Sequence, residues 1–214
     1  MVISRSITRC TSFGARLRLQ RHKKLPIVNA LVYGDYQANS VHRNDIALLQ
    51  LSTSVSPKRV VQLEMDYDYG VSSKDGKNCN QTVHFYGYGQ TFEGDQVHTE
   101  FWKRRLQVMS TRLVNGCNCT VWHNCSRYSD QRVDDFLITN AAADDDGNDG
   151  QRRTAFFADS GGPLIGPGGR QIGIATGLGV LQRRSNGRLA KYDNYFVKVA
   201  NHGRFLRRFL DKVD

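Results

Sequence analysis

The sequence predicts a mostly β protein. Twenty glycines against four prolines supply many turns, and short runs rich in β-branched and aromatic residues, "VVQLEM", "TVHFYGYG" and "QIGIATGLGV", suit pleated, half-buried surfaces. Helical periodicity is confined to the C-terminal stretch "VKVANHGRFLRRFLDKV", where Val199, Phe205, Leu206, Phe209, Leu210 and Val213 fall roughly on one face. "LPIVNALVYG" reads as an ordinary strand. With 214 residues, 39% of them hydrophobic, the chain can bury a substantial core as one domain of two packed lobes or as two small domains.

The formal net charge is +10, with basic residues gathered in "RLRLQRHKK", "WKRR" and "RFLRRFL". These groups are scattered among β segments without a nucleic-acid-binding motif, so they read as solvated surface and no nucleic acid partner is expected. Nothing approaches the roughly 20 apolar residues of a membrane span.

Cys10, Cys79, Cys117, Cys119 and Cys125 make an odd count, so at least one is unpaired or pairs outside the chain. The cluster "NGCNCTVWHNC" suggests local bridging; its Cys-x-Cys spacing, even with His123, is not that of common zinc sites, and no metal or cofactor is expected. Asn80, Asn118 and Asn124 each head a glycosylation sequon, which fits a secreted, oxidised surface. The opening 24 residues lack a signal-peptide pattern; their Arg, Ser and Thr content without acids gives a mitochondrial leader as the alternative. The acidic run "AAADDDGNDG" lacks calcium-loop spacing and reads as a solvated insertion.

The most specific motif is "FFADSGGPLIG", Phe156 to Gly166. Two glycines after a serine let backbone approach a substrate closely, and amide N–H groups beside the serine can face a developing oxyanion. The motif resembles the nucleophile loop of the trypsin/chymotrypsin family of serine endopeptidases. Further segments follow in that family's order from about residue 41 onward. "NDIALLQL" resembles the stretch bearing the buried triad aspartate, Asp45 here, and "VHFYGYGQT" resembles a Gly-Trp-Gly strand with Tyr88 in place of tryptophan. "RRLQVMSTRLV" is similar to the strand that follows, "QIGIATGLGV" to the substrate-lining strand, and "DNYFVKVANHGRFLRRFL" to the last strand and terminal helix.

The resemblance implies two antiparallel β-barrels with a C-terminal α-helix. Residues 1 to about 110 would form an incomplete N-terminal barrel, and about 111 to 214 the second barrel and helix. It implies Ser160 as nucleophile, the N–H groups of Ala158 and Ser160 as oxyanion donors, Asp159 in the activation pocket, and Thr154, Thr176 and Leu178 around the substrate pocket. A polypeptide, as substrate or ligand, would occupy the cleft between barrels, and the protein would be secreted.

The triad histidine is missing. "SITRC" is the local match for the strand end that carries it, and places Arg9, which cannot accept a proton, at its position. Counting back from Asp45 by the family's usual separation instead arrives before Met1. His42 belongs to a loop leading into Asp45 and reads as surface or substrate rim, while His22, His84, His98, His123 and His202 read as structural or solvated.

Other departures accompany this loss. Ala158 stands where the family has glycine, Thr154 lies at the pocket base without an acid to select Arg or Lys, and Leu178 replaces a pocket glycine. Phe156 and Gly166 occupy cysteine positions. Three functions are therefore open: an inactive or weakly active serine-peptidase homologue, a non-catalytic binding or regulatory protein, and part of an active secreted endopeptidase.

Overall fold

The computed structural model describes residues 2–3, 16–18, 24–36, 43–55, 60–67, 69, 81–89, 91–93, 96–98, 106–113, 135–140, 159–183 and 189–210. Their strands are β1 (Val2–Ile3), β2 (Arg16–Arg18), β3 (Lys24–Val32), β4 (Ala47–Leu51), β5 (Thr82–Gly87), β6 (Thr91–Glu93), β7 (Gln96–His98), β8 (Gln107–Arg112), β9 (Phe136–Asn140), β10 (Pro163–Ile165), β11 (Gln171–Arg183) and β12 (Leu189–Lys198). A 3₁₀ turn, Ala200–His202, leads into helix α1, Gly203–Leu210.

Every pairing among these described strands is antiparallel. One sheet runs β1-β4-β3-β2 and a second runs β8-β5-β10-β11-β12-β9, beside the β6-β7 hairpin. A bridge between Leu113, just past β8, and Thr139 of β9 brings the outer strands of the six-stranded sheet together and curls it on itself. Sheet membership changes between Leu51 and Thr82.

Strand patterns follow from which faces are covered. β5 alternates, with Val83 and Phe85 buried, and β8 buries Met109 and Thr111 while Val108 stays exposed. β9 instead buries Phe136, Leu137 and Ile138 in succession, because both of its faces are covered. Leu137 joins Phe85, Leu164 and Phe196 inside the curl, while Phe136 and Ile138 join Ile46, Leu48, Val197 and Leu206 between the sheets and α1. Buried polar groups on the same strands are paired: the Asn194 amide donates to the Thr139 hydroxyl at 3.1 Å.

Two local expectations change. "VVQLEM" is no strand; it forms a single parallel bridge, Leu63 to Gln171, with Val60 and Val61 exposed. Backbone bonds from Gln171 to Gln62 and from Glu64 to Gln171 hold it in place. Helix α1 presents Leu206, Phe205 and Phe209 inward, but Leu210 is exposed because the packing stripe is narrower than the apolar one. Gly203 at its start fits against Met65, whose carbonyl oxygen would lie 3.0 Å from a Cβ there.

Candidate active site

Asp45 lies between a left-handed turn and β4. Asn44 adopts φ 57°, a conformation Asn tolerates better than most residues. Its side-chain amide donates to the Asp35 carbonyl at 3.1 Å, and its own carbonyl accepts the Ile46 N–H at 2.8 Å. The Asp45 side chain is thereby carried into the interior, where the residue is fully buried.

Its partner comes from β11. The pairing of β11 with β12 shifts between Ala175 and Gly177, which leaves Thr176 as an extra residue. Such a bulge re-aims a side chain. The Thr176 hydroxyl donates to Asp45 Oδ2 at 2.6 Å, both groups being buried. This is a short, charge-assisted bond. The sequence suggested Thr176 for the substrate pocket; the bond to Asp45 had no sequence signal.

Ser160 occupies a tight turn. The Gly162 N–H donates to the Asp159 carbonyl at 2.9 Å, and Gly161, at the third turn position, has φ 86°. That position demands φ > 0 in a type II turn, which glycine adopts without strain. The turn is sewn to β11 by Gly161 N–H to the Ala175 carbonyl at 2.8 Å and Ala175 N–H to the Gly162 carbonyl at 2.9 Å. Ser160 is exposed and Asp159 buried. Adjacent residues of one strand thus hold both segments: Ala175 binds the Ser160 turn and Thr176 binds Asp45.

The Asp159 carboxylate lies against the "GYG" end of β5. Its Oδ1 accepts the Gly89 N–H at 2.7 Å, and a Cβ on Gly89 would collide with the same carboxylate. Gly89→Ala therefore forces the carboxylate out of its seat, with an expected loss of about 1–3 kcal/mol of stability measured by urea unfolding. Loss below a few tenths would show that Asp159 relocates freely.

Several expected site residues lie outside the described ones: Arg9, Thr154, Ala158, the five cysteines, the sequons at Asn80, Asn118 and Asn124, and His22, His42 and His123. Leu178 is placed on β11 by its backbone. His84 pairs with the Ser110 hydroxyl at 3.0 Å across β5 and β8.

A further polar group, His202, which the sequence read as structural or solvated, adjoins the aspartate turn. His202 is buried, with Nδ1 2.9 Å from the Lys198 carbonyl, Nε2 3.1 Å from Asn44 Oδ1, and its ring edge-on to Tyr33. Burial holds its pKa below the ordinary 6.5, while the Lys198 carbonyl and Asp135 act in the opposite sense. The unfolded chain therefore takes up this proton first as pH falls. Stability from His202 is complete above about 6.5 and is lost as pH drops towards the lower folded value. Urea midpoints measured from pH 7 to 5 should fall more steeply for the parent than for His202→Phe; equal slopes would refute the assignment.

Residues 9–200 match the family model described as Trypsin. The chain belongs to the trypsin family. The antiparallel curled sheet and the C-terminal helix of this trypsin-family chain agree with that family's fold. No curated protein sequence matches the chain. Among the described residues no helix is long and apolar enough to cross a membrane.

Proposed function

We propose that this trypsin-family chain is a serine-peptidase homologue that retains the nucleophile and the aspartate of the family's triad but not its general base. The observation that carries the reading is the shared anchoring on β11: Ala175 holds the Ser160 turn and Thr176 binds Asp45 at 2.6 Å. In the complete mechanism a histidine between such groups takes the serine proton, and the aspartate fixes its tautomer. By the resemblance that position falls on Arg9, which cannot accept a proton. Without the family's base, proton abstraction from Ser160 is disfavoured, so hydrolysis is absent or weak.

The remaining parts have roles consistent with this. The N–H groups of Ala158 and Ser160 would face the oxyanion, Asp159 would belong to the activation pocket, and Thr154, Thr176 and Leu178 would shape the substrate pocket. A Cβ on Ala158, where the family uses glycine, costs about 1 kcal/mol if that turn needs φ > 0. β1 to β4 would represent the N-terminal barrel and the curled six-stranded sheet the C-terminal one. A polypeptide is the ligand class, with a secreted setting and glycans at Asn80, Asn118 and Asn124. Digestion with a glycan-releasing amidase should lower the intact mass of the native protein; an unchanged mass would remove the glycoprotein reading.

A fluorophosphonate probe tests the central claim, since it labels serines activated by a base. Absence of stoichiometric labelling is expected. Labelling abolished by Ser160→Ala would establish a working base and an active endopeptidase; terminal sequencing of the native protein then checks whether a longer form supplies that base. The exposed serine turn beside an intact aspartate site supports a second reading, a regulatory protein that holds a polypeptide in the former substrate cleft. Peptide capture unaffected by Ser160→Ala supports it.

A further inference from the structure

His202 stands between two hydrogen-bond acceptors. On one side is the backbone carbonyl of Lys198, which can only accept, at 2.9 Å from Nδ1. On the other is the side-chain oxygen of Asn44, 3.1 Å from Nε2. Exchanging the amide nitrogen and oxygen of Asn44 would offer His202 a donor, but would turn the oxygen onto the Asp35 carbonyl that its nitrogen now binds at 3.1 Å. The orientation of Asn44 is therefore set by Asp35. A neutral imidazole carries one N–H and can satisfy only one of the two acceptors; an imidazolium carries two and satisfies both.

We propose that His202 is a positioning residue for Asp45, a proton-operated clasp that ties the C-terminal segment to the Asn44 turn when charged and releases one side when neutral. The connection to Asp45 is covalent and short. Asn44 holds φ 57° immediately before Asp45, and its carbonyl binds the Ile46 N–H immediately after. Whatever steadies the Asn44 side chain steadies the turn that presents Asp45 to Thr176.

Among the described residues, titratable groups on the elements next to His202 are Tyr33, whose ring meets it edge-on, Asp35 and Arg43 before the turn, Asp45 itself, Asp135, Lys198, Glu64 and Asp66 beside Met65, and Arg204, Arg207 and Arg208 of α1, Arg207 being paired with Asp66. Asp135 favours the imidazolium but is paired with Arg43 at 2.9 Å, which weakens its pull. Burial opposes the charge and sets the proton uptake on the acid side of neutrality. The clasp closes there. Local closure and the global loss of stability at low pH are compatible, because the first compares two folded states and the second compares folded with unfolded.

The consequence for catalysis rests on the reading of Asp45 as the triad aspartate, but the clasp does not. It is tested on the full chain without an activity assay, by NMR titration of the His202 ring together with amide-exchange protection of Ile46. In the parent, protection of Ile46 should rise severalfold as His202 takes up its proton. Asn44→Gly removes the side-chain acceptor and tolerates the left-handed backbone. In that variant the His202 midpoint should fall by about one pH unit, the equivalent of one lost charge-assisted bond, and the rise in protection should vanish. An unchanged midpoint in Asn44→Gly, or Ile46 protection that stays flat through the parent's titration, would overturn the proposal. Neither result depends on whether Ser160 reacts, so failure of the clasp is distinct from failure of the peptidase reading.

Discussion

Peptide hydrolysis by the purified chain will run about 10⁶-fold below that of a complete triad, and Ser160→Ala will change it by less than about tenfold. Groups that act as a unit are not additive: once the base is gone, removing the serine takes away little more, and what is left is about 10³–10⁴ over water from binding and oxyanion contacts. A deficit of 10⁶ corresponds to roughly 8 kcal/mol of transition-state stabilisation. Measurement of kcat/KM for both proteins on a peptide library decides it. A fall of 10³ or more on Ser160→Ala would mean that some group in the native protein accepts the serine proton, and the homologue would have to be reclassified as an enzyme.

Phe196→Ala is expected to cost about 3–5 kcal/mol, the upper range for truncation of a single core side chain. Phe196 is fully buried in β12, stacks at a tilt on Phe85 with ring centroids 5.5 Å apart, and sits with its Cβ 3.0 Å from where a side chain on Gly173 would begin. It therefore joins β5, β11 and β12 at the centre of the curled sheet. Domains are stable by only about 5–15 kcal/mol, so this change leaves a marginal protein. Urea unfolding should show a lower midpoint with an unaltered slope. A cost under about 1 kcal/mol would mean that the sheet interior collapses into the space, contrary to the two-sided packing around β9 and β12.

Much of the architecture was legible without coordinates because it is written in short-range pattern. The alternation in "TVHFYG" and "QVMSTR" carries β5 and β8, and "LPIVNALVYG" reads correctly as the strand β3. The serine turn is also local: Asp-Ser-Gly-Gly contains its own φ > 0 residue and its own closing bond from Gly162 to Asp159. Burial of Asp45 follows the motif "NDIALLQL" by resemblance. "VVQLEM" misled because β-branched composition marks a tendency to pair, and whether a partner edge is available depends on the rest of the fold.

The sequence by itself determined the β class, the family and the serine turn. Tertiary structure alone decided what Asp45 meets. Thr176 is 131 positions away and reaches it only because one bulged residue breaks the β11 register, and His202 reaches Asn44 across 158 positions. Periodicity specifies which face of a strand is apolar, but a hydrogen bond between distant residues depends on register, and a shift of a single residue reverses the direction of every side chain that follows.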